Sequence, residues 1–133
     1  MQGKHSVQIE DFTERYFIKS FQKKYKNKWD VTLIAIVAEL ARIDKLLETD
    51  KVEIIINSDD FKIIKTKFKV AGTQESAKTS GNRCIVVWYP HKQLVKVLLV
   101  YCKTDLGSGH ENAEWKSMVS NNYSEYKEII GTY

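Results

Sequence analysis

The chain has 133 residues, 43% of them hydrophobic and 29% charged, with 21 Lys and Arg against 17 Asp and Glu for a formal net charge of +4. That length predicts a single domain over residues 1–133, with a core large enough to need no disulfide or metal staple. No apolar run approaches the roughly 18 residues of a membrane span. The opening "MQGKHSVQIED" has neither the apolar core nor the small-residue cleavage site of a secretory signal, so a cytoplasmic protein is expected.

In chain order, "VQI" at 7–9 reads as a short edge strand. "EDFTERYFIKSFQKKYKNK" then reads as a helix. Phe17, Phe21 and Tyr25 recur every four residues, with Lys19, Lys23, Lys26 and Lys28 largely off that stripe. "WDVTLIAIVAELARIDKLLETD" predicts a second helix, with Asp30 as N-cap and Leu33, Ile36, Val37, Leu40, Ile43 and Leu47 on one face. The short joint between the two helices predicts an antiparallel pair.

A strand is expected from about Phe61 to Val70, preceded by a short strand-like piece at 52–56 and the turn signal "SDD". "TQESAKTSGN" is a long polar loop. "RCIVVWY" and "LVKVLLVYCK", joined by "PHKQ", read as a hairpin whose strands are apolar on both faces and therefore central. The tail predicts a third helix. Ser108 and Glu111 form its capping box, Gly107 and Gly109 the break before it, and Trp115, Met118, Val119, Tyr123, Tyr126 and Ile130 its apolar side. The order β-α-α-β-β-β-α is that of an α+β domain. It predicts an antiparallel sheet of about four strands with the helices, two N-terminal and one C-terminal, segregated to one face.

Cys84 and Cys102 lie inside apolar runs and read as two reduced, buried thiols. His5, His91 and His110 are scattered and make no ligand spacing with them, so neither a metal nor a cofactor is expected.

The charge distribution is more informative than its sum. Only three of the 21 basic residues are arginine: Arg15, Arg42 and Arg83. Arg15 and Arg42 fall in helical segments, whereas Arg83 opens a strand. In "FKIIKTKFKV", side chains alternate between faces, so Ile63, Lys65, Lys67 and Lys69 share one face. A lysine row is ordinarily a solvated outer face. A hairpin turn centred near His91–Lys92, however, sets Arg83 roughly opposite Tyr101, with Lys103 a diagonal neighbour. In that register Lys65, Lys67, Lys69, Arg83, Tyr101 and Lys103 gather on one face with no carboxylate among them, a grouping suited to a nucleic-acid backbone.

Such a cluster also suits RNA cleavage. When a 2′-hydroxyl attacks the adjacent phosphate, charge builds on the phosphorane oxygens, and preorganised cations stabilise it. Arg83 offers a bidentate fork. A lysine crowded by other cations is expected to have a lowered pKa and to be able to act as general base. His91, at the hairpin turn, and His110, at a helix start, read as exposed surface residues rather than catalysts.

The element order, "KTKF", "KTSGNRCIVVWY" and "VKVLLVYCKTDL" together resemble the RelE/ParE superfamily of bacterial type II toxins, and its RelE/HigB branch most. There a "K-S-G-G-x-R-V-I-Y-Y" strand precedes a strand ending in "Y-x-K". This chain departs from it at Thr79 and at Asn82. The resemblance covers roughly residues 13–130.

The resemblance implies a small cytoplasmic toxin neutralised by a cognate antitoxin protein, cleaving mRNA in the ribosomal A site. It assigns phosphate contact to Arg83, Lys65, Lys67 and Lys103, of which Lys67, Arg83 and Lys103 are the candidate catalytic residues. Lys65, Lys69, Lys78, Tyr101 and Tyr126 are the candidate RNA-binding residues. Tyr126 or Tyr123 is nearest in position to the family's catalytic tyrosine, and both also fit the helix core. Two alternatives remain at this level: a toxin that inhibits a protein target such as DNA gyrase, as some members of the superfamily do, or a non-catalytic nucleic-acid-binding module.

Overall fold

The apolar stretches 82–89 and 94–102 can be satisfied only where helices cover both sides of the sheet, and the fold is arranged around that requirement. The computed structural model describes residues 4–106 and 110–132. The expected capping box and break at Gly107, Ser108 and Gly109 lie outside the described residues.

Five strands, β1 (Ser6–Ile9), β2 (Val52–Asn57), β3 (Lys62–Phe68), β4 (Asn82–Tyr89) and β5 (Leu94–Cys102), form one sheet in the order β1-β5-β4-β3-β2. The hairpin strands β4 and β5 are central and β1 is an edge, as their patterns predict. Two corrections concern the sheet. The 52–56 piece is a full edge strand, antiparallel to β3. β1 runs parallel to β5, so the sheet is mixed rather than antiparallel. "VEIIIN" reads as a fragment because a bulge between Ile54 and Ile56 breaks its alternation.

The first helical region comprises α1 (Asp11–Thr13), a π-helical turn (Glu14–Ile18) and α2 (Lys19–Tyr25). Lys26, at φ 54° and ψ −127°, separates it from α3 (Asn27–Ala41), and α4 (Ile43–Leu46) follows. The break thus falls earlier than the sequence predicts. Asp30 sits inside the first turn of α3 rather than at its N-cap, where its charge still complements the helix dipole. After β3 comes the short α5 (Ala77–Ser80). After β5 come α6 (Glu111–Asn122), a 3-10 turn over Ser124–Tyr126, and α7 (Lys127–Gly131).

The helices cover both sheet faces, not one. Ile18, Phe21, Trp29, Ile36, Leu40 and Ile43 of the N-terminal helices pack on Ile64, Phe68, Cys84, Val86 and Val97. Trp115, Val119, Tyr123, Tyr126 and Ile130 of the C-terminal helices pack on the opposite face, against Ile63, Ile85, Val87 and Leu99. A sheet whose central strands are apolar on both sides would otherwise leave one face wet, at roughly 1.5–3 kcal/mol per large side chain. Cys84 is buried as expected and burial pushes its thiol up to about 12, whereas Cys102 is half-buried; both are free.

A bulge in β5 sets the register at the end of the sheet where Arg83 lies. It falls between Val97 and Leu99, so Val86 pairs with Val97 but Ile85 pairs with Leu99. The bulge leaves the Leu98 carbonyl outside the ladder. The Tyr123 hydroxyl donates to it at 2.7 Å, and the Thr13 hydroxyl donates to it as well. Tyr123 therefore completes the sheet from below.

Candidate nucleic-acid interface

The strand register brings basic residues from three elements to one end of the sheet. Arg83 pairs with Tyr101, the position expected of it, and Lys67 of β3 pairs with Arg83 from the other side. The Lys103 N–H donates to the Gly81 carbonyl at 2.8 Å, and the Lys103 side chain lies against Gly81. Lys65 lies two residues along β3 from Lys67, on the same face. Lys69 lies just beyond the end of β3 and Lys78 on α5, and both are exposed. Among the described residues no ion pair engages Lys67, Lys69, Lys78 or Lys103.

Arg83 is only 6% exposed. Its Nη1 donates to the carbonyls of Asn82, at 2.9 Å, and Ala77, at 3.4 Å, and its Nη2 to that of Lys78 at 3.1 Å. A short helix leaves its last carbonyls unpaired, and the guanidinium fork caps them. Ser76 and Thr79 form a capping box at the other end of α5. The Ser80 hydroxyl ties the turn to the Phe68 carbonyl at 2.6 Å, and Gly81 takes the left-handed conformation at φ +80° that the exit from the turn requires. "KTSGNR" is therefore a built turn clamped by its own arginine, whose positive charge stays at the site while three of its bonds go to the turn.

The expectation of a cluster without a carboxylate is overturned. Glu111, in the first turn of α6, places Oε2 3.1 Å from the Lys65 Nζ and 2.6 Å from the Tyr101 hydroxyl, which donates to it. Lys65 also donates to Asn112 Oδ1 at 2.9 Å, and the Trp115 indole N–H donates to the same oxygen at 3.0 Å. Lys65 is buried by these contacts. It is paired rather than crowded by like charges, so the crowding expected to make a lysine a general base is absent at this position. Burial pushes the Glu111 carboxyl up, but hydrogen bonds from Tyr101 and Lys65 and the charges of Lys65 and Arg83 outweigh it and hold the group below its ordinary value. Burial and the Glu111 bond push the Tyr101 phenol far up, keeping it protonated as a donor. Its ring is 1% exposed and offers no stacking surface.

The remaining aromatic candidate lies elsewhere. The Tyr126 hydroxyl bonds that of Tyr89, at the opposite end of β4 from Arg83, about 20 Å along the strand. Tyr126 is a core residue packed on Phe61, with ring centroids 5.6 Å apart. His91 and His110 are exposed, as expected. Sequence reasoning missed Glu111, Asn112 and Trp115 as neighbours of Lys65. No spacing rule connects positions 46 residues apart on a strand and a helix.

No family model matches the chain, and a search of curated proteins finds no match. Among solved structures, a crystal structure of an archaeal RelE–RelB complex from Pyrococcus horikoshii OT3 is similar to it, with a TM-score of 0.53 at 13% sequence identity. The likeness covers 74% of this chain and 94% of that one. The chain thus has a RelE-like fold.

Proposed function

We propose that this chain is the toxin of a type II toxin–antitoxin pair: a ribosome-dependent mRNA endoribonuclease in which a 2′-hydroxyl attacks the adjacent phosphodiester. The observation that carries the reading is the ladder Lys67–Arg83–Tyr101, with Lys103 beside it, at one end of a RelE-like sheet. A phosphate seated there meets Lys67 and Lys103 directly, with the buried Arg83 supplying fixed positive charge beneath. Cations held in place before the reaction stabilise a phosphorane without reorganising. Lys69 and Lys78, both exposed, extend the basic surface along the RNA backbone.

The similar archaeal structure is a complex of RelE with RelB, which supports a protein antitoxin as partner here. Val31 and Ile34 on α3 are 59% and 71% exposed, with Lys28 on the same helix and Lys69 lining a surface pocket beside Val31. An acidic partner segment with an apolar stripe suits that surface.

The test is induced expression in bacteria with primer extension on an abundant translated transcript. Wild type is compared with Lys67→Ala/Lys103→Ala, two positions whose truncation leaves the core intact. Growth arrest with new cuts, both lost in the variant, supports the nuclease. Arrest without cuts, retained in the variant, replaces it with a toxin acting on a protein target. No arrest, with RNA binding lost in the variant, replaces it with a binding module.

A further inference from the structure

The Glu111 carboxylate uses one oxygen and leaves the other open. Oε2 takes both the Tyr101 hydroxyl and the Lys65 ammonium, while Oε1 accepts no hydrogen bond from a described residue. The side chain is 22% exposed, so a ligand can reach part of it. Around it stand the charges that make the end of the sheet basic. Lys65 is bonded to the same carboxylate, the Arg83 charge acts on Glu111, and Lys67 pairs with Arg83. Tyr101 and Lys65 together fix the carboxylate's rotamer, so Oε1 is oriented before any ligand arrives.

A bare phosphate has no use for a carboxylate, which repels it. A ribonucleotide does. Its 2′-hydroxyl lies next to the 3′-phosphate, and the hydroxyl is a donor as well as an acceptor. A site with cations for the phosphate and an ionised, acceptor-only carboxylate one side chain away fits both groups at once.

We propose that Glu111 is a specificity-determining residue whose Oε1 accepts the ribose 2′-hydroxyl, so that the basic end of the sheet takes RNA in preference to DNA. This rests on the nucleic-acid reading above and names the part of the nucleotide that the carboxylate recognises. Deoxyribose leaves Oε1 facing the phosphate with nothing to accept, which counts against DNA twice: a bond is missing and a repulsion is uncompensated.

The experiment measures fluorescence anisotropy of a short labelled single-stranded RNA and of the DNA of the same sequence, at low salt, with wild type, Glu111→Gln and Glu111→Asp. Glu111→Gln removes the charge and keeps a shape able to accept from Tyr101. Glu111→Asp keeps the charge but withdraws it by one methylene, and serves if the Gln variant fails to fold. Wild type is expected to prefer RNA about tenfold, the worth of one hydrogen bond to a charged acceptor. Both variants are expected to bring the ratio below about threefold, with DNA binding by Glu111→Gln unchanged or tighter. A merely structural role for Glu111 would weaken both polymers together and leave the ratio intact, and that result overturns the assignment. Equal binding of RNA and DNA by wild type overturns it too, while leaving the basic surface as a nucleic-acid contact. Binding of neither polymer removes the nucleic-acid reading itself, and the assignment with it.

Discussion

Lys65 and Glu111, on a strand and a helix 46 positions apart, meet at 3.1 Å beneath the basic end of the sheet. The pair anchors α6 to β3. Its carboxylate is shared with Tyr101, so two side chains depend on one carboxylate oxygen. An ion pair of this kind costs desolvation on both sides, offset here by the Tyr101 bond to Glu111 and the Lys65 bond to Asn112.

The pH dependence of stability follows from that pair. The Glu111 carboxyl sits below its ordinary value of 4.5 in the folded chain. Its contribution is therefore full above the unfolded value and is lost as pH falls through the lowered folded value. Thermal melts of wild type and Glu111→Gln, run from neutral pH into acid, are expected to differ most near neutrality and to converge on acidification. A difference in melting temperature that stays constant across that range would show that the carboxylate's charge contributes nothing.

Arg83→Lys is expected to destabilise the chain by about 2 kcal/mol, because an ammonium cannot reach the three carbonyls that the fork serves and a buried acceptor left unpaired costs about 1–3 kcal/mol. The loss is local to the turn. Hydrogen exchange should accelerate at the amides of 77–82, while the β4–β5 ladder keeps its protection. Unchanged exchange at the turn would mean that its other tie, from Ser80 to Phe68, holds it without the arginine.

Thr13 and Tyr123 both donate to the Leu98 carbonyl freed by the bulge. Tyr123→Phe and Thr13→Val should each cost about 1 kcal/mol, since the other hydroxyl still serves the carbonyl. The double variant should exceed the sum of the two by about a further 1 kcal/mol, because only then is a buried carbonyl orphaned. Chemical denaturation of the four proteins gives the cycle, and strict additivity would remove the shared-acceptor account.

The bulge also shows where sequence reading stops. The hairpin length by itself sets Arg83 opposite Val100, and Arg83 meets Tyr101 only because β5 carries one extra residue. Continued from Val86–Val97 without the bulge, the ladder would set Arg83 opposite Val100 and turn Tyr101 to the other face. Within "LVKVLLVYCK" every position from Val97 to Val100, around the bulge, is apolar, so the pattern cannot register a change of face there.

Local chemistry determined the main element types, the central place of the two apolar runs, the edge position of β1 and the shared face of Lys65 and Lys67, because periodicity acts over a few residues. The tertiary structure alone decided that Glu111 joins Lys65, that Arg83 spends its fork on the carbonyls of its own turn, and that Tyr126 lies at the far end of the sheet. These contacts join residues on elements that meet only when α6 and α7 fold across the sheet, or depend on the path of a loop, and neither leaves a periodic trace in the chain.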